Sequence, residues 1–298
     1  MPKIGFLFKS LLLVMILSVM SCSHHNNAPI KILVNSWIGY SPLFYAKEKG
    51  WLQELNIEIS TVVSLGESMM TFHTGHFDGL VGTQYEYQKL KEKHYKLTPI
   101  LMFDRSMGGD MVMGNRSIDE LKASQQPIDV YLEINSINSL VFQQFIELHD
   151  LQNQQFNFIN KDQLKIVTEL KQSVPSRASI VTTYIPYNFD LTKIGFQTLG
   201  STKEIADLLV LDALYTTKES LHKNQQTYIK LKERINQAVN ALNEDPKAYY
   251  ETVKPYLENT SFEEFNAGLK QIEWLNKSLP KALQQRMQKT NFPIQDLL

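Results

Sequence analysis

The stretch at residues 104–115, DRSMGGDMVMGN, interrupts two strand-like runs with a pair of glycines. One apolar run precedes it at residues 98–103, and another, at residues 111–114, lies within it. A second break, GSTKEIAD at residues 200–207, comes just before the apolar run LLVLD. A chain that leaves one lobe and returns to it at two crossings builds a bilobed hinge protein, an architecture that closes around a ligand.

On both sides of these crossings, short apolar runs alternate with helical patterns, which is typical of an α/β protein. Helices are predicted at residues 42–52, 67–74, 85–93 and 136–149, and from Ser220 onward only helical patterns remain. We predict strands at residues 30–35, 57–63, 79–82, 98–103, 111–114, 128–134, 156–159, 179–183, 196–199 and 208–212.

The N-terminus has the pattern of an export signal. Lys3 and Lys9 form a positive segment ahead of an apolar run of about ten residues, which is too short to span a bilayer stably. The run ends at Cys22, the only cysteine of the chain, and the polar stretch SHHNNAP follows. This pattern resembles the bacterial lipoprotein signal, in which such a cysteine is lipidated and becomes the new N-terminus. An ordinary secretory signal with a chance cysteine is the alternative.

We therefore expect a signal peptide at residues 1–21, a tether at residues 22–29 and a lipid, such as palmitate, on Cys22. That anchor would hold the protein to a membrane of the cell envelope, facing the periplasm or the cell exterior. The sequence does not decide between the inner and the outer membrane.

The composition excludes several classes of protein. Lysine and arginine number 30 against 31 acidic residues, a balance that argues against a nucleic-acid partner. With one cysteine, the mature chain forms no internal disulfide, so its fold depends on its hydrophobic core. No later segment approaches the length of a membrane span.

Taken in chain order, five segments resemble the type II periplasmic solute-binding proteins of ABC importers, in particular the group that binds nitrate, sulfonates, taurine and thiamine precursors. The segments follow one another in order between residues 35 and 205, and it is this order rather than any one motif that is specific. The segments are NSWIGYSPLFYAKEKGWLQELNIEI (35–59), GESMMTFHTGHFDGLVGTQYEY (66–87), FDRSMGGDMVM (103–113), IDVYLEINSINSLVFQQFIELHDL (128–151) and SIVTTYIPYNFDLTKIGFQTLGSTKEI (179–205).

The resemblance implies an α/β, bilobed periplasmic-binding-protein fold with two doubly wound sheets, a two-strand hinge and a helical C-terminal segment. The first lobe would comprise residues 30–108 and 205–298, and the second lobe residues 109–204. The implied function is capture of a small organic molecule between the lobes and delivery to the permease of an ABC importer, without a cofactor and without catalysis.

Ligands of doubly wound sheets bind beyond the carboxyl ends of the strands, where loops and helix N-termini converge. Trp37 and Tyr40 follow the first strand, and an aromatic face there can pack an apolar or cationic ligand. We expect Tyr184 to face Trp37 across the cleft as an aromatic clamp. The full set of candidate ligand-binding residues is Trp37, Tyr40, Ser41, Glu67, Gln84, Tyr85, Ser106, Asp110, Glu133, Asn135, Ser136, Thr183, Tyr184 and Tyr187.

Several of these residues also have local structural interpretations. Ser41 is predicted to cap the helix that Pro42 opens, and Glu67 can complement a helix dipole. Asn135 and Ser136 can cap a helix, contact the ligand or do both. Arg105, beside the first crossing, is expected to form a hinge ion pair with Asp104 or Asp110, which we favour over a contact with an anionic ligand.

The charge of the candidate set bears on the ligand. It holds three acids, Glu67, Asp110 and Glu133, and the only arginine close to it is Arg105. A binder of anions usually concentrates donors and positive charge. The balance therefore favours an amine or a zwitterion over a sulfonate or nitrate.

Three other functions are weighed against solute delivery. His73 and His76 have a spacing that can bind a metal, but Gly75 lies between them and no third histidine is near, so a surface pair and no metal site is predicted. No nucleophile-elbow pattern indicates an enzyme. A ligand-sensing lipoprotein that feeds a membrane receptor would use the same lobes, and Ser23 after the cysteine, typical of outer-membrane sorting, fits that alternative.

Overall fold

The computed structural model of the protein describes residues 28–93, 95–205 and 208–298. The expected signal peptide, the lipidated Cys22 and the tether up to residue 27 lie outside the described residues. Among the helices of the described segments, none is both long enough and apolar enough to cross a membrane.

The described strands form two separate mixed sheets. In chain order the strands are β1 (Ile30–Val34), β2 (Ile57–Thr61), β3 (Gly79–Thr83), β4 (Leu97–Ser106), β5 (Asp110–Gly114), β6 (Ile128–Leu132), β7 (Phe156–Asn160), β8 (Ser179–Tyr184), β9 (Gln197–Ser201), β10 (Leu211–Thr217) and β11 (Ile272–Trp274). The first sheet has the order β11-β4-β10-β3-β1-β2, and the second has the order β7-β6-β8-β5-β9. We call the half built on the first sheet the first lobe and the other half the second lobe.

Helices cover the sheets, as the alternating pattern predicts. Short 3-10 turns lie at Ile38–Tyr40 and Lys254–Tyr256. The α-helices are α1 (Ser41–Glu48), α2 (Trp51–Glu54), α3 (Leu65–Phe72), α4 (Gln84–Glu92), α5 (Ile118–Lys122), α6 (Ile137–Leu148), α7 (Gln163–Gln172), α8 (Tyr187–Lys193), α9 (Lys218–Glu244), α10 (Pro246–Val253), α11 (Phe262–Leu269) and α12 (Lys281–Lys289).

Burial explains why these segments form these elements. In β1, IKILV, four of the five side chains are buried, as expected of a parallel strand covered on both faces. In α9, the buried side chains Leu231, Ile235, Ala238 and Leu242 recur at helical spacing and form one apolar stripe. This stripe packs α9 against the first lobe, so the C-terminal helices complete that lobe's core.

The chain leaves the first sheet through residues 107–109 and leaves the second sheet through the segment that begins at Thr202, and these two connections are bound to each other. The hydroxyl oxygens of Ser106 and Thr202 lie 2.7 Å apart, and the amide of Gly108 donates to the Thr202 hydroxyl over 2.8 Å. Gly108 has a φ of +118°, which a residue with a side chain rarely adopts. The amide of Gly109 donates to the carbonyl of Gln271. The glycine pair thus lets the chain turn sharply between the lobes.

The predicted fold class is confirmed, with three corrections to its elements. A helix at residues 42–52 was expected, but two helices with Gly50 between them, at a φ of +74°, occupy this region. The expectation of helices alone after Ser220 is wrong, because Ile272–Trp274 pairs with β4 as an edge strand. Ser41 does not cap α1: the helix begins at Ser41 itself, and no side chain caps it.

Candidate ligand-binding site in the cleft

A small cavity lies where the two sheets face each other. Its aromatic walls are Trp37 and Tyr40 from the first lobe and Tyr184 from the second. The volume of the cavity that is open to the centre of a water-sized molecule is about 10 Å³, close to the minimum that one bound water needs. The remaining lining residues are Asn35, Leu65, Thr83, Asp110, Ile137 and Asp212.

The turn after β1 places the two aromatic residues of the first lobe. The Trp37 amide donates to the Asn35 side chain over 2.9 Å, and the Tyr40 amide donates to the Trp37 carbonyl over 3.0 Å. Gly39 lies between the aromatics, where a Cβ atom would stand 1.9 Å from Oδ2 of Asp104. Only glycine therefore lets this carboxyl group approach the turn so closely.

Asp104 and Asp212 form a pair of like residues directly opposite each other on β4 and β10. Side chains at such opposite positions have Cβ atoms about 5 Å apart, and like charges there repel each other. Asp104 is fully buried and Asp212 is 2% exposed. Burial, and the charge of the neighbouring carboxyl groups, raise the pKa of both carboxyls well above its usual range.

Two aromatic side chains of the turn donate hydrogen bonds to this pair of carboxyl groups. The indole Nε1 of Trp37 donates to Oδ1 of Asp104 over 3.3 Å, and the hydroxyl of Tyr40 donates to Asp212. Oδ2 of Asp104 has no hydrogen-bond partner among the described residues. The carboxyl pair therefore keeps an unused acceptor directly behind the aromatic wall.

Two further acids lie close to the pair. Asp110, on β5 of the second lobe, lines the cavity, and burial raises the pKa of its carboxyl to about 7. Glu86, on α4, is fully buried, and its Oε1 accepts from the amide of Ile137 over 3.0 Å across the lobes. Burial also raises the pKa of Glu86. Within the described residues, none of these four acids has a basic side chain at ion-pair distance.

The expected ion pair of Arg105 with Asp104 or Asp110 is wrong. Arg105 pairs with Glu273, its cross-strand partner on β11. Neighbouring side chains of a strand point to opposite faces of the sheet, so Arg105 lies on the other face of β4 from Asp104 and cannot neutralise the buried acids. The unpredicted strand β11 provides its partner instead.

Glu133 occupies a second polar cluster at the carboxyl end of β6. Its Oε1 accepts from the amide of Gln163 over 3.3 Å, and burial raises the pKa of its carboxyl to about 8. The side chain of Gln163 donates to Asn138 and to the carbonyl of Thr182. Atoms Oε2 of Glu133, Nδ2 of Asn138 and Oε1 of Gln163 have no hydrogen-bond partner among the described residues. This cluster lies beneath the second-lobe side of the cleft.

Tyr184 faces Trp37 in the structure: their ring centroids are 5.9 Å apart and their planes are inclined by 76°. That the two rings clamp a ligand stays a prediction. Of the candidate residues, the structure brings Trp37, Tyr40, Asp110 and Tyr184 together at the cavity. Tyr187 lies close by, but its hydroxyl donates to Glu258 over 2.6 Å.

The side chains of several other candidates interact with the protein away from the cavity. Ser41 bonds to Tyr249, Gln84 to the backbone of Leu209 and Leu211, and Ser136 caps α6. Ser106 accepts from the amide of Asp110 in the crossing. Thr183 is buried on β8, one residue before Tyr184 and so on the other face of the strand.

Three candidates lie at the outer mouth of the cleft or on its flank. Glu67 and Asn135 are exposed and line an outer pocket next to Glu133. Glu67 accepts from the amide of Val63 over 2.8 Å, in keeping with the local role foreseen for it. The ring of Tyr85 packs against the core of the second lobe and lies under the ammonium group of Lys89.

Sequence reasoning missed Asp212 and Asn35 as lining residues and Asp104 as their buried neighbour. A signal for Asp212 was present, since an acid ended the apolar run LLVLD. The strand, however, begins at Leu211, so Asp212 lies near its start rather than at its end. The pairing with Asp104 has no local signal, because the two residues are distant in the chain.

Searches for a matching family model and for related curated proteins by sequence found none. Similar solved structures exist, however. The ligand-binding component of an ABC-type import system from Staphylococcus aureus, solved with zinc bound, superimposes with a TM-score of 0.68 at 12% identity, over 89% of this chain and 92% of that one. The alkanesulfonate-binding protein SsuA from Xanthomonas axonopodis pv. citri, bound to MOPS, gives 0.67 at 11% identity, over 90% and 95%.

This protein has the periplasmic-binding-protein fold. The nitrate-binding protein NrtA from Synechocystis PCC 6803 also superimposes, with a TM-score of 0.58 at 13% identity, over 80% of this chain and 69% of that one. The predicted resemblance to the binding components of ABC importers is thus confirmed at the level of structure. At these identities the likeness establishes the fold, and the ligand has to be argued from the side chains of this chain.

Proposed function

We propose that this protein is an extracytoplasmic solute-binding protein. In this proposal, residues 30–108 and 205–298 form one lobe, residues 109–204 form the other, and a small organic molecule is captured between them. The captured molecule is then delivered to the permease of an ABC importer in the membrane. The similar protein from Staphylococcus aureus supports the proposal, because it is the ligand-binding component of an ABC-type import system.

One observation carries this proposal. Aromatic side chains from both lobes, Trp37 and Tyr184, meet across the cleft at a cavity that also contains buried carboxyl groups. Two lobes that need only pack together would bury apolar side chains there, since buried unpaired acids destabilise a fold. Aromatic walls with a few convergent polar groups are the usual composition of a small-molecule site.

The charge of the site supports an amine or a zwitterion as the ligand, in preference to a sulfonate or nitrate. The cavity and its surroundings carry Asp104, Asp110 and Asp212, and within the described residues no lysine or arginine lines the cavity. An anion would face these carboxyl groups without a counter-charge. In this respect the proposed ligand differs in charge from alkanesulfonate and nitrate, which two of the similar proteins bind.

The lipid on Cys22 would keep the protein close to its membrane partner. A single chain of myristate type gives only marginal membrane binding, so the full lipid modification of a mature lipoprotein is what this role requires. Labelling of cells with a palmitate analogue tests this part: the wild type should be labelled, and Cys22→Ser should not.

A thermal-shift screen of the purified mature chain tests the proposed function. The screen should contain amines, zwitterions, sulfonates, nitrate, pyrimidines and aromatic acids, because a solute that binds only the folded protein raises its melting temperature. We expect Trp37→Ala to lose the shift. The matched control is Trp51→Ala, since Trp51 packs on Tyr45 and Arg234 away from the cleft, and this variant should keep the shift. Equal shifts in both variants would contradict a site at Trp37.

A further inference from the structure

The buried carboxyl pair Asp104–Asp212 carries an inference about the ligand that rests on the proposed function. The two residues lie opposite each other on β4 and β10, and each has at least one acceptor oxygen directed toward the turn of Trp37 and Tyr40. Asp212 lines the cavity, whereas the fully buried Asp104 lies behind it, and its Oδ2 has no hydrogen-bond partner in the described part of the chain.

Among the residues that the structure describes, the titratable groups that face the pair are acidic or phenolic. Tyr40 faces it from the turn, Glu86 from α4 and Asp110 from β5, while Tyr215 lies on β10 itself. The neighbouring Arg105 is held by Glu273. Two carboxyl groups placed so close in a dry environment do not both ionise without a cation, so the pair retains a proton near neutral pH.

A metal ion does not fit this cluster as its positive partner. Among the described residues, no three carboxylate, histidine or cysteine side chains converge closely enough to coordinate one ion. The acids are instead spread around a space with aromatic walls. An organic ammonium group can reach carboxylates at such separations and bind the face of Trp37 or Tyr184 at the same time.

The aromatic contact also bears on the size of the ligand. The rings of Trp37 and Tyr184 touch across the cleft, and the cavity between the lobes has room for about one water molecule. A ligand several rings wide would keep the two lobes well apart. A primary or methylated ammonium with a short chain needs only a small separation of these rings.

We propose that the solute is a compact organic cation, and that one proton leaves the Asp104–Asp212 pair when the cation binds beside Asp110 and Asp212. The O–H bond of the protonated carboxyl breaks and its proton passes to the solvent. The ammonium group takes the place of this proton. It interacts through its own N–H bonds or, in a quaternary cation such as tetramethylammonium, by charge alone. One positive charge enters as one leaves, so the net charge of the buried site is unchanged.

Isothermal titration calorimetry of the mature chain tests this exchange. Methylammonium, ethanolamine, tetramethylammonium and choline are the probes. Each is titrated at several pH values in phosphate and in citrate, two anionic buffers whose different ionisation enthalpies report the number of protons released. We expect about one proton released per cation bound and an affinity that rises by up to about tenfold per pH unit until the pair is ionised.

Substitutions locate the proton. Asp104→Asn and Asp212→Asn should each reduce the proton release, because the remaining carboxyl no longer faces the charge of the other member of the pair. The double variant should bind none of the cations. Asp129→Asn is the matched control, since Asp129 is a buried aspartate of the second sheet held by Asn157, and it should bind and release as the wild type does. Circular dichroism confirms that each variant is folded.

The outcomes separate this inference from the proposed function. Cation binding without proton release, or release that persists in the double variant, overturns the inference and leaves solute binding intact. If no cation binds but an anion or a neutral solute does, the inference is likewise wrong and the proposed function stands. If no solute of either screen binds to a folded protein, the proposed function itself fails.

Discussion

Trp37 in the first lobe and Tyr184 in the second meet edge to face, with ring centroids 5.9 Å apart. The two rings come from different lobes, so they touch only while the lobes are closed. Each ring also has a polar neighbour: the indole bonds to Asp104, and Tyr184 lies opposite Asp110 on the adjacent strand. Closure of the lobes thus brings aromatic surface and negative charge together.

The first prediction concerns the ring of Tyr184. Tyr184→Ala should weaken binding of the solute about 5- to 30-fold, because one aromatic wall of the cavity is lost. Tyr184→Phe keeps the ring and should bind within about threefold of the wild type. Calorimetric titration of both variants measures the difference. If the alanine variant binds as tightly as the phenylalanine variant, the ring makes no contact with the solute.

A second prediction concerns closure. The Tyr187 hydroxyl, on α8 of the second lobe, donates to Glu258 of the first-lobe sequence, which also accepts from Ser36 over 2.7 Å. Tyr187→Phe removes this bond between the lobes, so we expect affinity to fall about tenfold and the solute to dissociate faster. Stopped-flow measurement of dissociation tests this.

The control for that substitution is Tyr256→Phe. The Tyr256 hydroxyl donates to Glu48, and both residues belong to the first-lobe sequence, so the bond does not join the lobes. Its dissociation rate should match that of the wild type. Equal rates in Tyr187→Phe and the wild type would show that the bond to Glu258 has no role in holding the cleft closed.

The raised pKa values of the cleft acids predict how ligand-free stability depends on pH. Burial raises the pKa of Asp110 to about 7 from an unfolded value near 3.8. The folded protein therefore binds more protons than the unfolded chain across this range, so this contribution to stability is full below about pH 4 and is lost as the pH rises to about 7.

The matching experiment compares Asp110→Asn with the wild type. The variant does not titrate at this position. The difference in the free energy of unfolding, variant minus wild type, should therefore rise by at most about 1.4 kcal/mol per pH unit between pH 4 and 7 and stay constant above that range. Urea denaturation at a series of pH values measures this gap. A gap that stays constant or narrows with rising pH would show that Asp110 is not buried in the ligand-free protein.

A fourth prediction concerns Gly39. In Gly39→Ala the new methyl group would lie 1.9 Å from Oδ2 of Asp104 and 2.5 Å from Nε1 of Trp37, so the carboxyl and the indole have to move. We expect a loss of about 1–3 kcal/mol in stability, together with weaker solute binding. Gly66→Ala is the control, since a Cβ atom there would meet no heavy atom closer than 3.9 Å. Similar losses in both variants would contradict a close contact at Gly39.

Whether a feature of this protein could be predicted from the sequence depends on how far apart in the chain the interacting residues lie. Alternating apolar runs and glycine breaks are local, and they predicted most strands and the two crossings near Gly108 and Gly200. The positions just after β1 and at the end of β8 predicted Trp37, Tyr40 and Tyr184 for the same reason.

Features that depend on strand pairing could not be predicted in this way. Asp104 and Asp212 become neighbours only through the register of β4 and β10. The edge strand at Ile272–Trp274 lies within an otherwise helical pattern and exists because β4 offers it a free edge. The salt bridge of Arg105 with Glu273 follows from the same pairing.

The central claim, that a solute binds between the lobes against Trp37, is tested most directly by the fluorescence of that residue alone. The chain has three tryptophans, so Trp51→Phe together with Trp274→Phe leaves Trp37 as the sole reporter. A solute that raises the melting temperature should change the emission of Trp37 in a saturable titration with the same dissociation constant as calorimetry gives. If such a solute binds while the emission of Trp37 stays constant, the solute binds elsewhere and the account of the cleft is wrong.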